Sequence, residues 1–229
     1  MTAKLLATDL WRGDIILTSM KLRTGDPVDT VSFWAPAIEN GAINLLTGSI
    51  YSHAMLVSGT DTIIEFRNHL KEKSLKSALT DGGNTPSVAH VFRHLNSNGH
   101  MREQVMRHAR TMVHSYKQVD MKYVSSVWLG LSAITSRWRQ EDVQGMVVCS
   151  SFCATAYAKA GSPLSKINSH SMAPGDIALC ADFWTGSKSR AFVSVPGAIV
   201  SGARKWVARR AWGMPTLKLV GEISPHVWA

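Results

Sequence analysis

Three residues far apart in the chain, Cys149, His53 and Glu65, have the side-chain types that nucleophilic thiol chemistry requires. A thiol attacks as its thiolate, and a neighbouring imidazole can take its proton and later return it to a leaving group. A carboxylate accepting the other ring N–H fixes the tautomer and steadies the imidazolium. Taken singly, each residue has a plainer reading: Cys149 as a small buried apolar residue, His53 as a hydrogen-bonded structural histidine, Glu65 as a solvent-facing strand residue.

The elements that must carry these residues strengthen the chemical reading. The segment from Val147 to Gly161 opens on an apolar pair, continues through helix formers and closes on a glycine suited to the position just past a helix. Cys149 then falls at or near a helix N-terminus, where unpaired N–H groups and the positive end of the dipole favour a thiolate and can hold an oxyanion. His53 opens the apolar run to Val57, and Glu65 lies in the run Thr62 to Phe66. The turn residues Ser58-Gly59-Thr60-Asp61 between them predict an antiparallel hairpin with both side chains on one face.

Strands are also expected after the Gly13-Asp14 turn, at Ile15 to Thr18, and at Ser87 to Phe92. Pro174-Gly175-Asp176 repeats the turn pattern and predicts another at Ile177 to Leu179. Val105, Met106, Ala109, Met112, Val113 and Tyr116 recur at helical spacing within Glu103 to Tyr116. Strands, helix, helix and strand in that order make an α+β layout.

The ordered motifs Gly13 to Thr18, Ser52 to Val57, Ile63 to Phe66, Val91 to Arg93, Cys149 to Phe152, Ala156 to Gly161 and Pro174 to Ile177 resemble the circularly permuted branch of the NlpC superfamily of papain-fold hydrolases. In that branch the histidine strand precedes the cysteine helix, and the third polar residue sits on the strand after the histidine. The resemblance implies a permuted papain-like fold, with a central antiparallel sheet and the nucleophile helix packed on it. It further implies Cys149 as nucleophile, His53 as general base and acid, and Glu65 as orienting carboxylate, working through an acyl-enzyme. Tyr51 and Ser52 beside the histidine, Ser150 after the nucleophile and Asp14 in the turn are placed either to line the substrate cleft or to serve as structural residues. Unpermuted members carry Asp before the cysteine and Gly two residues after it, where this chain has Val148 and Ser151, so peptide specificity does not transfer directly.

The substrate class implied first is the amide bond of bacterial cell-wall peptides. Permuted members that resemble lipid acyl hydrolases and acyltransferases make a membrane ester the alternative, and a non-catalytic binding module is a third reading. Some antibacterial effectors delivered by type VI secretion look like this family. A toxin role is therefore expected, with a secretion-apparatus carrier and an immunity protein as partners.

Composition bounds these readings. The chain has 229 residues, 45% of them apolar, enough for one sizeable core and against disorder as the main state. Residues 1–185 are expected to form the hydrolase domain, with 186–229 as a basic, Trp-containing extension packed on it. A net charge of +9 predicts attraction to polyanions: a cell-wall polymer, anionic lipid or nucleic acid. No recognised nucleic-acid module accompanies the charge, so nucleic acid is not expected as a partner. The stretch from Pro196 to Trp212 reads as a basic amphipathic helix. The insert from Asp120 to Gly145, with Trp128, Arg137, Trp138 and Arg139, would lie just before the nucleophile as a lid or substrate wall.

No apolar run approaches the roughly 18 residues of a membrane span, and the N-terminus does not read as a signal peptide. Synthesis in the bacterial cytoplasm without a Sec signal, and delivery to a target cell's periplasm, is the expectation. Cys149, Cys153 and Cys180 fit neither a disulfide framework nor a paired zinc site, and Gly82-Gly83-Asn84 lacks a phosphate-binding pattern. No metal or cofactor is expected.

Overall fold

The computed structural model describes residues 3–20, 50–66, 69–80, 86–115, 149–166, 169, 172, 174–181 and 215–223. In chain order these form β1 (Lys4–Leu5), a 3-10 turn (Ala7–Asp9), β2 (Ile15–Met20), β3 (His53–Gly59), β4 (Thr62–Phe66), β5 (Leu70–Ser74), α1 (Leu75–Thr80), β6 (Pro86–His94), α2 (Gly99–Ser115), α3 (Cys149–Lys159), α4 (Pro174–Leu179) and β7 (Leu217–Ile223). The strands form a seven-stranded sheet in the order β1-β7-β6-β2-β3-β4-β5. β1 runs parallel to β7, and every other neighbouring pair is antiparallel. The protein is thus α+β, built on one mixed sheet.

Alternation along the central strands divides the core in two. Ile15, Leu17, Ala54, Leu56, Ile64 and Phe92 pack with residues of α2 and α3 on one face. Ile16, Met55, Val57, Ile63 and Val91 pack with Leu75 and Leu79 of α1 on the other. Because both faces are covered, β2 and β3 read as nearly continuous apolar runs rather than as alternating ones.

α2 begins at Gly99, earlier than the apolar spacing indicates, because the Asn98 side chain accepts the Met101 N–H at 2.8 Å and caps the first turn. Its inward stripe is Met101, Val105, Met106, Ala109 and Met112. α3 is buried from Ser150 through Tyr157, with no solvated face along that length. It stops as the sequence predicts. Gly161 has φ +74°, the Ser162 N–H bonds the Tyr157 carbonyl at 3.0 Å, and the Gly161 N–H bonds the Ala158 carbonyl at 3.0 Å.

One expected element is corrected. Pro174-Gly-Asp-Ile-Ala-Leu179 is the short helix α4, not a turn feeding a strand. A proline at the first helical position has its φ already set and lacks only an N–H that would have no helical partner there, and Asp176 suits the first turn. The edge strands β1 and β5, with the short helix α1, emerge from the structure rather than from the periodicity. β7 lies within the C-terminal extension yet sits between β1 and β6, so the sheet runs across a boundary drawn at 185. The insert at 120–145 and the amphipathic stretch at 196–212 lie outside the described residues. Among the described residues, no helix is long and apolar enough to cross a membrane.

The β1–β7 join needs a glycine. A Cβ on Gly221 would lie 2.6 Å from the Ala3 carbonyl oxygen and 2.6 Å from Leu5 Cγ. Gly221→Ala is therefore expected to loosen β1, at a cost of about 1–3 kcal/mol. Hydrogen exchange should show residues 4–5 losing protection while the β2–β3 pairing keeps it; unchanged protection at β1 would contradict this account.

Candidate active site

Cys149 is the first residue of α3 and is partly buried. His53 is the first residue of β3, 6% exposed, and Glu65 lies in β4 with no exposed surface. The hairpin register pairs Met55 with Glu65, which makes Glu65 the diagonal neighbour of His53 on the same side of the two strands. A long carboxylate spans that diagonal: His53 Nε2 lies 3.0 Å from Glu65 Oε2. With Nε2 committed to Glu65, Nδ1 is the ring nitrogen left for the Cys149 thiol, to which His53 is hydrogen-bonded.

The electrostatics favour an ion pair. Burial alone would disfavour both charged forms, but the two groups favour each other's charge. Burial pushes His53 down, while Cys149 and then Glu65 push it up more strongly, to about 9. Burial pushes the Cys149 thiol up, and His53 together with the backbone N–H groups of Ala54 and Ser150 brings it below the ordinary thiol range. Both shifts run toward a thiolate beside an imidazolium. Two fixed N–H donors already face the sulfur.

The chain matches no family model and no curated protein. Its chemistry must be argued from this geometry.

The structure brings Cys149, His53 and Glu65 together; the four expected cleft residues fare differently. Ser150 turns its hydroxyl away to the Met172 carbonyl at 2.7 Å, leaving its backbone N–H as its part in the site. Tyr51 is wholly buried, with its hydroxyl 2.5 Å from His90 Nδ1 and its ring edge-on to Phe92. Ser52, next to His53, is 3% exposed, and among the described residues its hydroxyl has no hydrogen-bond partner.

Asp14 does not join them. It sits beside Val57, toward the other end of β3 from His53. There it holds Arg93 through two bonds, Nε to Oδ1 at 2.8 Å and Nη2 to Oδ2 at 2.7 Å, and accepts the Trp11 N–H at 2.9 Å. Arg93 also lies 3.7 Å from the centroid of the Trp11 ring. This is a buried structural ion pair, four residues of strand away from the thiol.

Lys73 in β5 is the site residue that sequence reasoning missed. Its Nζ lies 2.6 Å from Glu65 Oε1, and its side chain is 12% exposed. Within LKEKS it reads as one of the charges that protect an edge strand, and only the β4–β5 register aims it at the carboxylate. Among the described residues, no group of three His, Cys, Asp or Glu side chains is placed to hold a metal ion.

Cys153 and Cys180 provide the internal contrast. Both are buried thiols pushed upward by burial, Cys153 with the added repulsion of Cys149 and Cys180 with that of Asp176. Iodoacetamide at pH 6.5 should therefore modify Cys149 at least ~100-fold faster than either, as a thiolate paired with imidazolium outreacts inert buried thiols. Peptide mapping of the partly alkylated protein reads the ratio, and equal labelling of the three would remove the basis for an activated thiol.

Proposed function

We propose that the protein is a cysteine hydrolase of permuted papain-like architecture that works through an acyl-enzyme. The observation that carries this reading is the contact of Cys149, at the start of α3, with His53, itself backed by Glu65 at 3.0 Å. The histidine strand precedes the cysteine helix in the chain, the order that the resemblance to the permuted NlpC branch implies.

The chemistry follows from the placement. The thiolate attacks a carbonyl carbon, and the negative charge that develops on oxygen falls near the first turn of α3, where N–H groups have no helical acceptor. His53, holding a proton in the resting state, passes it to the departing amine or alcohol. Neutral His53 then draws a proton from water, which attacks the thioester and releases the acid. Glu65 holds the ring through both transfers and balances its charge whenever it is protonated.

The bond assigned is an amide in bacterial cell-wall peptides. An enzyme of net charge +9 is drawn to an anionic envelope, and the cell-wall amide is the substrate class that the resemblance implies first. The test is mass spectrometry of purified peptidoglycan, and in parallel of bacterial phospholipid, after incubation with the protein or its C149A variant. New muropeptide ends that C149A does not produce are expected, with H53A reduced roughly 10²- to 10⁴-fold. Lysophospholipid and free fatty acid instead would replace the amidase assignment with lipid acyl hydrolysis.

The pH profile of kcat/KM should be a bell. Activity needs Cys149 deprotonated and His53 protonated, so it rises on the acid side at a pH below the ordinary thiol range. It falls as pH climbs through about 9, where His53 loses its proton. A rate still rising beyond pH 10 would contradict the ion-pair mechanism.

The wider role proposed is that of an antibacterial toxin acting in the periplasm of a target cell, accompanied by a carrier and an immunity protein. Expression behind a periplasmic signal should arrest growth or lyse the cells, whereas expression confined to the cytosol and periplasmic C149A should not. Equal harmlessness in both compartments would refute the toxin role.

A further inference from the structure

Glu65 lies between two cations, and only one of them takes part in the proposed proton transfers. Oε2 faces His53 Nε2 at 3.0 Å, and Oε1 faces Lys73 Nζ at 2.6 Å, with the carboxylate having no exposed surface. His53 changes charge during the cycle; Lys73 does not touch the thiol or the leaving group. We propose that Lys73 is a positioning residue of the active site, a fixed counter-ion that keeps Glu65 charged and aimed at His53 whether or not the imidazole carries its proton. The proposal rests on the hydrolase reading of Cys149 and His53.

The argument is one of charge in a dry place. A carboxylate removed from water and left without a counter-ion is costly, and the cost is relieved by protonation or by rotation toward solvent. If His53 were the only cation, Glu65 would be stranded each time the imidazole gave its proton to a leaving group, and that transfer would be disfavoured. With Lys73 in place, Glu65 remains balanced when His53 is neutral, so the transfer is easier and the carboxylate is ready to stabilise the imidazolium again. Strand geometry fixes the arrangement. The β4–β5 register sets Lys71 opposite Glu65 and Lys73 opposite Ile63, so Lys73 reaches Glu65 along the diagonal from one side as His53 does from the other.

Other charged groups lie nearby among the described residues. From β5 come Lys71, directly across from Glu65, and Glu72, which stands across from Ile64 and pairs with Arg110 of α2 at 3.5 Å. α1 brings Lys76. From α3, Cys149 faces the imidazole. Of these β5 and α1 cations, Lys73 is the one whose Nζ lies 2.6 Å from Glu65 Oε1.

The experiment needs no knowledge of the substrate. Alkylation of Cys149 requires the thiolate, and iodoacetate, being an anion, is drawn by a protonated His53, so its rate traces both limbs of the ion pair. Rates would be measured from pH 4 to 11 in the wild type and in the K73M, K73Q, K73R and E65Q variants. In the wild type the alkaline limb should lie near 9. Without the Lys73 charge, the carboxylate would be less well balanced when His53 is neutral, so His53 should hold its proton longer. K73M and K73Q should move the limb up by about one pH unit, and K73R should leave it within ~0.3 unit. E65Q should move it down, because the imidazolium loses its partner.

A limb unmoved in both K73M and K73Q would overturn the proposal. So would a shift in K73M with none in K73Q, since glutamine keeps a donor but not the charge. K73Q also carries the test if K73M does not fold. A wild-type Cys149 with no fast alkylation below the ordinary thiol range would instead overturn the hydrolase reading, and the role of Lys73 with it.

Discussion

At the junction of α3 and β3, Cys149 and His53 each favour the other's charged form. Burial opposes both charged forms, so the resting state depends on Cys149 and His53 being held in contact. The contact is between the first residue of a helix and the first residue of a strand, joined by more than ninety residues of chain. Among the described residues, the packing of α3 on the sheet face that carries Ala54 and Leu56 holds the two together. The covering of α3 from Ser150 to Tyr157 therefore has a chemical consequence: a helix buried along this length cannot roll or slide to carry its N-terminus away from the imidazole.

The same sheet holds a second buried ion pair, and the two differ in a way that separates structure from chemistry. Asp14 and Arg93 meet through two parallel bonds, the Trp11 N–H adds another, and Arg93 also donates to the Asp9 carbonyl at 3.0 Å. Such an arrangement ties the turn before β2 to β6. In the chemistry proposed for Cys149, His53 and Glu65, the imidazole exchanges a proton and the sulfur, faced by N–H donors, forms a bond to carbon. An ion pair fixed by several bonds makes a clamp, whereas an exchangeable proton beside a nucleophile would make a site.

Much of this arrangement was legible in the sequence, for identifiable reasons. The hairpin was legible because Ser58 to Asp61 is strong turn chemistry between two apolar runs, and period-two alternation then fixes which side Glu65 takes. The end of α3 was legible because Gly161 needs a positive φ that few other residues accept. What escaped reading depends on long-range partners. LKEKS carries no apolar alternation, and it becomes a strand because β4 offers it an edge. Pro174 to Leu179 fits a turn before a strand as well as a first helical turn, and packing decides between them. Tyr51 and Asp14 have cleft-lining chemistry, but His90 and Arg93, distant in sequence, claim them.

Lys73 brings these threads together. A charged edge strand usually serves to discourage pairing with another chain, and β5 has the lysines and glutamate suited to that. Yet β5 is also the strand next to the one that bears the buried carboxylate, so a side chain at the right register can reach inward at little cost to the edge. One element then serves both ends: Glu72 is exposed, and Lys73 turns in to meet Glu65. A proton-transfer site at the start of β3 gains a permanent counter-charge from two strands away.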